Sequence, residues 1–309
     1  MNDYVALLLG VICAGIGGEL FVKGAVGIAS MARISPGIIG ATIAAFATSS
    51  PELSVSISSA LAGKPQIALG DALGSNVVNV ALILGLALVI SGIQSPRDCV
   101  KRDLPVALLI PVITGVFFLD GVLSRADGML MLGMFAAWLV AAALEARRQR
   151  NAADTMLGTH SKWLVAIFCL TGLALLVAAG NLIVHGARGI AVSFAISEFV
   201  IGATIVAIGT SVPELATTII ARIRGHEEVG LGTVLGSNIF NGLFIVAVAA
   251  VIHPIAVPLQ DIAAALVFGA LALAFIYPPR NGFIERRRGA LLLVLYIGYV
   301  FTVLQGGDA

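Results

Sequence analysis

The 309 residues include 59% hydrophobic and only 11% charged side chains, and the net charge is +1; mean hydropathy is +1.04. That balance excludes an ordinary soluble globular domain, and the near-neutral charge without a basic arm argues against a nucleic-acid partner. It is the composition of an integral membrane protein whose solvent is the lipid bilayer.

Apolar runs of the length that crosses a bilayer, roughly 20 residues, recur along the whole chain. Ten transmembrane helices are predicted, at 4 to 29, 37 to 62, 67 to 91, 104 to 120, 127 to 145, 163 to 187, 198 to 221, 229 to 251, 259 to 277 and 290 to 304. Runs such as "LLLVLYIGYVFTVL" are continuous rather than alternating, so the expectation is helices and not barrel strands.

The first run begins almost at residue 1 without an arginine-rich leader, which reads as a retained helix. It carries Glu19 and Lys23 at i and i+4, read as a neutralised pair near a helix end, and His185 takes the place of Lys23 in the sixth run. Three cysteines, Cys13, Cys99 and Cys169, lack metal-like spacing and read as packing residues.

The second run holds "IGATIAAFATSSPELS" from Ile39 to Ser54, and the seventh holds "IGATIVAIGTSVPELA" from Ile201 to Ala216, with eleven of sixteen positions identical. The third run opens with "GDALGSNVVN" from Gly70, and the eighth repeats it as "GTVLGSNIFN" from Gly232, again 162 residues on. The repeating unit is therefore about five helices. The expected division is a first repeat over 1–145, a cytoplasmic linker over 146–162 and a second repeat over 163–309, all one membrane domain. An odd number of crossings per unit makes the two repeats inverted relative to each other.

Loop charge fixes the orientation. Arg33, Arg97, Lys101, Arg102, Arg147, Arg148, Arg150, Lys162, Arg222, Arg224, Arg280, Arg286, Arg287 and Arg288 fall on one side, against Lys64, Arg125 and Arg188 on the other. The richer side is cytoplasmic, so both termini lie outside a cell (inner, cytoplasmic) membrane.

Within the repeated blocks, Pro51 and Pro213 lack an N–H and release the carbonyls of Ala47 and Gly209, four residues earlier. A released carbonyl in hydrocarbon is costly unless protein, water or an ion satisfies it. Thr48, Ser49, Thr210 and Ser211 stand beside the breaks. A proline kink with hydroxyls bonded back to the helix accounts for these residues alone, but not for Glu52 and Glu214, since a mid-membrane carboxylate costs at least ~3 kcal/mol. Two such carboxylates at equivalent positions suggest a shared cation.

Ser75 and Asn79 share one face of the third run, as do Ser237 and Asn241 in the eighth. Gly70 with Gly74, and Gly232 with Gly236, also have the spacing of close helix packing, and both roles are expected together. The set is all oxygen, without cysteine or histidine, and suits Ca2+ or Na+ rather than zinc or copper. With both glutamates ionised the site carries two negative charges, which one Ca2+ or two protons neutralise and three Na+ exceed by one.

These blocks resemble the paired repeats of the calcium/cation antiporter superfamily, and specifically its sodium/calcium exchanger family of prokaryotic type. "ATSSPEL" and "GTSVPEL" are similar to the family's G-T/S-S-x-P-E/D signature, and both "GSN" blocks match the helix that follows it. The resemblance implies a ten-helix exchanger with discontinuous helices at the ion site, formed by the second, third, seventh and eighth helices, while the first and sixth are long, tilted and slide.

By motif position the resemblance implies Ca2+ held by Glu52 and Glu214 with the carbonyls of Thr48 and Thr210. Flanking Na+ would use the carbonyls of Ala45 and Ala207 with Ser49, Ser75, Ser211 and Ser237, and Asn79 and Asn241 would face the central position. Ala47 departs from the glycine usual at the break. Asn241 stands where some relatives carry aspartate, which argues against K+ co-transport. The linker of under 20 residues has no room for the regulatory insert of animal exchangers.

The expected function is secondary antiport of Ca2+ against Na+ by alternating access, with H+/Ca2+ (or other divalent cation) exchange through the same two glutamates as the alternative and a cation channel as a weaker one. No nucleophile or base constellation points to an enzyme, and no cofactor is expected beyond the transported Ca2+ and Na+. A two-fold pair inside one chain is expected to work as a monomer.

Overall fold

The computed structural model describes residues 2–96, 99–152, 162–193 and 207–306. Helix α1 (Asp3–Ala32) is capped by the Asn2 side chain, which accepts from the Tyr4 N–H, and ends where Arg33 turns left-handed at φ 57°. Ser35 and Pro36 then start α2 (Pro36–Thr48) with a cap and a preset φ.

At Ser49, with φ −86° and ψ 12°, the chain bends by 46° and restarts as α3 (Ser50–Leu61), where the N–H missing at Pro51 falls in the first turn and is no loss. A turn through Gly63 at φ 72° leads into α4 (Pro65–Ile90). Strand β1 (Ile93–Gln94), α5 (Leu104–Phe117), β2 (Val122–Leu123) and α6 (Arg125–Ala152) follow. Helix α6 runs beyond the expected end at 145 and takes in the first residues of the linker, including Arg147, Arg148 and Arg150.

The second half repeats the plan: α7 (Lys162–Ser193), α8 (Ala207–Thr210), α9 (Val212–Ile223), α10 (Glu227–Ile252), β3 (Ile255–Ala256), α11 (Leu259–Phe275), β4 (Phe283–Ile284) and α12 (Arg286–Gly306). The start of the expected seventh helix, 198–206, and residues 153–161 of the linker lie outside the described residues.

Among the described residues, six helices are long and apolar enough to cross a membrane, or seven if the bent pair α2–α3 counts as one span. Their outer faces carry large exposed apolar side chains such as Leu8, Trp163, Leu170, Val294 and Ile297, as a lipid-facing surface requires.

Equivalent residues adopt equivalent backbones. Ser211 breaks the second half at φ −86° and ψ 8°, and Gly225 turns it at φ 74°. α4 loosens into a π-helical stretch at Val78–Leu84, and α10 does so at Phe240–Ile245. An extra residue in the turn rotates the side chains that follow, and such bulges cluster at functional sites.

The halves interlock. β1 pairs antiparallel with β4, matching Ile93 to Ile284, and β2 with β3, matching Val122 to Ala256. These four two-residue strands lie in the loops of an otherwise helical fold, where short extended segments satisfy their backbone groups across the two halves. Likewise α6 packs on α10 and α12 on α4. Phe135 and Trp138 of α6 meet Phe240 of α10, the Phe135 and Phe240 rings standing 4.9 Å apart edge to face. α1 and α7 pack along each other on the far side of α9, and α4 and α10 are the most deeply buried spans.

Candidate cation site

α3 and α9 begin at the two breaks, and the two glutamates sit in those first turns, each 1% exposed. A carboxylate at a helix N-terminus faces unpaired N–H groups and the positive end of the helix dipole, which lowers the cost of its burial. Glu214 Oε1 accepts from Ser49 Oγ at 3.0 Å and from Ser237 Oγ at 3.2 Å, so the break of one half and α10 of the other converge on it. Glu52 Oε2 and Glu214 Oε2 are shielded from solvent and have no hydrogen-bond partner.

Around them the oxygens sort into engaged and unengaged. Thr48 Oγ1 donates to the carbonyls of Ala44 and Ala45, at 3.0 and 3.3 Å, and the Ala45 carbonyl also receives the Ser49 N–H. Ser75 Oγ, Ser211 Oγ, Asn79 Oδ1 and both polar atoms of the Asn241 amide are buried without a partner. Thr210 lies at the end of α8, and Ala207 begins that helix, its side chain outside the described set.

Ala47 packs with Phe21, Leu173 and Leu176, whereas the Gly209 carbonyl is overlain by Gly180 of α7, where an added Cβ would fall 2.9 Å from it. A cavity of about 50 Å³, room for one or two waters, lies between Pro51, Gly209, Thr210, Pro213 and Asn181. It runs from the two breaks to the exposed Asn181.

Two residues join the site that the sequence reading passed over. Asn76 Nδ2 donates to the Asn238 carbonyl at 3.3 Å and Asn238 Nδ2 returns the bond to the Asn76 carbonyl at 3.1 Å, a reciprocal clamp between α4 and α10. Asn79 Nδ2 donates to Asn238 Oδ1 at 3.1 Å, which leaves Asn79 Oδ1 available. The signal was the third residue of each "GSN". Asp71, one turn before Ser75, stands next to the site on α4 and not in it; its counterpart is Thr233, so the repeat gives it no emphasis.

Other tempting residues stand apart from this centre. Glu19 bonds both Lys23, at 2.9 Å, and Arg224, at 2.7 Å, which ties α1 to the end of α9. His185 Nε2 lies 4.0 Å from Asp3 Oδ1 with both side chains exposed. Among the described residues no group of three or more His, Cys, Asp or Glu side chains forms a common metal cluster. The chemistry of the centre is therefore that of two acids surrounded by neutral oxygens, a donor set for hard cations.

A family model described as "Sodium/calcium exchanger protein" matches residues 3–144 and 163–305. The chain is 36% identical to the putative antiporter CaxA of Alkalimonas amylolytica, over 97% of this chain and 98% of that protein. It is 27% identical to the sodium/calcium exchanger MaX1 of Methanosarcina acetivorans, over 97% and 98%. A solved structure of the sodium–calcium exchanger NCX_Mj, soaked with Na+ and Sr2+, superposes with a TM-score of 0.83 at 31% identity, covering 96% of each chain.

Proposed function

The chain belongs to the sodium/calcium exchanger family of membrane antiporters, and on that premise we propose that it exchanges Ca2+ for Na+ by alternating access around the site made by Glu52 and Glu214. One observation carries the reading: two buried carboxylates stand in the first turns after the two breaks, Glu214 is bonded to Ser49 of the other break, and one oxygen of each acid is unpartnered, as are oxygens of Ser75, Ser211, Asn79 and Asn241. Ca2+ takes six to eight oxygens, a number that two carboxylates with the neutral oxygens around them could supply.

In this proposal Ca2+ is held by Glu52 and Glu214 with the carbonyls of Thr48 and Thr210, and Asn79 and Asn241 face it. Na+ takes the flanks, through Ser49 with Ser75, Ser211 with Ser237, and the carbonyls of Ala45 and Ala207. The Ala45 carbonyl already receives two donors, so its ion must displace the Thr48 hydroxyl. The state with both glutamates ionised and no cation is too costly to cross the membrane. Transport is therefore confined to loaded states, which is exchange. The hydroxyl-rich flanks favour Na+ as the coupling ion over protons.

The architecture proposed is ten helices in two inverted five-helix repeats, one chain sufficing as a monomer, in the cell membrane with both termini outside. Support comes from the strand pairs. β1 and β3 are equivalent, 162 residues apart, yet β3 pairs with β2, at the other end of α5 from β1. Equivalent turns thus fall at opposite ends of the bundle, as inversion requires. α1 and α7 are the elements that slide, and their contacts are unequal: Gly180 overlies Gly209, but the equivalent Gly18 meets Ala216 and Ile220. Such a difference is what one of two alternating states produces.

The test is calcium-45 uptake into proteoliposomes under an imposed Na+ gradient, with membrane potential and pH gradient each clamped. Uptake should follow the Na+ gradient; uptake that follows the pH gradient and ignores Na+ overturns Na+ coupling.

A further inference from the structure

Asp71 is an acid that the repeat does not demand. At the equivalent position the other half has Thr233, whose hydroxyl simply bonds back to the Val229 carbonyl at 2.8 Å. Asp71 has no such settlement. As a residue it is only partly buried, but its Oδ2 is shielded from solvent and has no hydrogen-bond partner, and among the described residues no Lys, Arg or His pairs with it. An acid left in that condition inside a membrane span is costly, and its usual compensation is a cation.

Its position says which cation route it belongs to. Asp71, Ser75 and Asn79 follow at i, i+4 and i+8 on one stripe of α4, so Asp71 continues the ligand-bearing face by one turn toward Lys64. The short helix α8, which ends in the break of the second half, packs on the first part of α4 as well as on α7. Yet the three acids do not form a common cluster, so Asp71 does not share one coordination shell with both glutamates.

We propose that Asp71 is a separate cation station: a carboxylate that holds Ca2+, through its own oxygen and water, on the Lys64 side of the glutamate pair, and hands it inward or outward there. The other half has Thr233 in its place, so the device exists on one side only and makes the two access routes unequal. This rests on the exchanger reading for its direction of use, but the binding of Ca2+ at Asp71 does not.

Two measurements separate the two ideas. In the first, wild type, Asp71→Asn and Asp71→Glu are reconstituted with known sidedness, and half-saturating Ca2+ is measured at each face. Asp71→Asn should raise it about tenfold at the Lys64 face, the lower end of what a focused charge does to local cation concentration. The opposite face should stay within about twofold on the same argument, and Asp71→Glu should recover most of the loss. Equal shifts at both faces, or none, overturn the proposal.

In the second, equilibrium binding of calcium-45 is measured on detergent-purified Glu52→Gln/Glu214→Gln protein with and without Asp71→Asn. Weak residual binding should vanish with the third change; residual binding that survives it, or no residual binding at all, counts against the station. This second arm stands even if Asp71→Asn cannot be reconstituted. Wild type that shows no Na+-driven Ca2+ flux at all defeats the exchanger reading, while the binding arm still decides Asp71.

Discussion

The Ser49 hydroxyl and the Glu214 carboxylate are 165 positions apart in the chain and 3.0 Å apart in space. The bond runs from the break in one half to the acid of the other and ties the two halves together at the proposed site. Ser237 supplies the second donor to the same oxygen at 3.2 Å.

Ser49→Ala removes one of these donors and one flank oxygen while leaving both glutamates. A hydrogen bond to a charged group is worth about 1.5–3 kcal/mol, and 1.4 kcal/mol is tenfold in binding. Half-saturating Na+ in the flux assay is expected to rise about tenfold on that scale, with the smaller change in Ca2+, whose charge is met mainly by the carboxylates. An unchanged Na+ dependence would remove Ser49 from the coupling ion's site.

Glu52→Gln and Glu214→Gln separate binding from folding. Each replaces a buried, incompletely partnered acid by a neutral amide of the same shape, so the ion-free protein should unfold at the same temperature as wild type or higher. Wild type with Ca2+ at 100 times its dissociation constant should gain about 2.7 kcal/mol. Both variants should lose that gain together with transport. Thermal unfolding in detergent with and without Ca2+ checks this, and a variant that keeps the full gain argues against the glutamate pair as the site.

The pair was readable because a proline and a glutamate are conspicuous in an apolar run and because the same words return 162 residues later. The breaks themselves were readable for the same reason, from Pro51 and Pro213. The π-helical stretches at Val78–Leu84 and Phe240–Ile245 were not, since nothing in the local sequence distinguishes them from α-helix and packing decides the extra residue. Asn76 and Asn238 were passed over because their bonds go to backbone carbonyls of the opposite half, a relationship that exists only after folding. Asp71 escaped for the opposite reason: its counterpart is Thr233, so the repeat gives it no emphasis.

Gly236→Ala is expected to be among the most damaging single methyl additions. A Cβ there would sit 2.2 Å from the Ala41 carbonyl oxygen and 2.6 Å from the Ala41 Cα, backbone atoms that cannot rotate away. Overpacking typically costs 1–3 kcal/mol, and a backbone clash between α10 and α2 should reach or exceed about 3 kcal/mol on that scale. Denaturation in mixed micelles, compared with wild type, gives the number; a loss below about 1 kcal/mol means that the two helices are less tightly apposed.

Two ion pairs should behave very differently. Asp103 is fully buried and accepts from Arg102 Nε and Nη2, at 2.7 and 2.9 Å, and from the Trp138 indole N–H at 2.9 Å, tying the start of α5 to α6. Asp103→Ala removes one member of a buried ion pair and the acceptor of the Trp138 indole N–H, and should cost about 3–5 kcal/mol. Arg224 and its partner Glu19 are 58% and 22% exposed at the side chain, so Arg224→Ala should cost less than about 1 kcal/mol and less still in high salt. The same denaturation assay at low and high ionic strength decides both, and a salt-insensitive loss of several kcal/mol in Arg224→Ala would contradict the second.

Lys64 and His226 test the inversion directly because they are the same residue of the two repeats. Each follows a glycine of matching φ, 72° at Gly63 and 74° at Gly225, and each precedes a long buried span. In parallel repeats both would face one compartment. In inverted repeats they face opposite ones, with Lys64 outside if the positive-rich loops are cytoplasmic. Lys64→Cys and His226→Cys, each made in a background with Cys13, Cys99 and Cys169 replaced, should therefore react with an impermeant maleimide on opposite terms. The first should be modified in intact cells, and the second only after the membrane is opened. Modification of both from the same side would rule out the inverted arrangement, and with it the two-fold logic that gives each half one carboxylate.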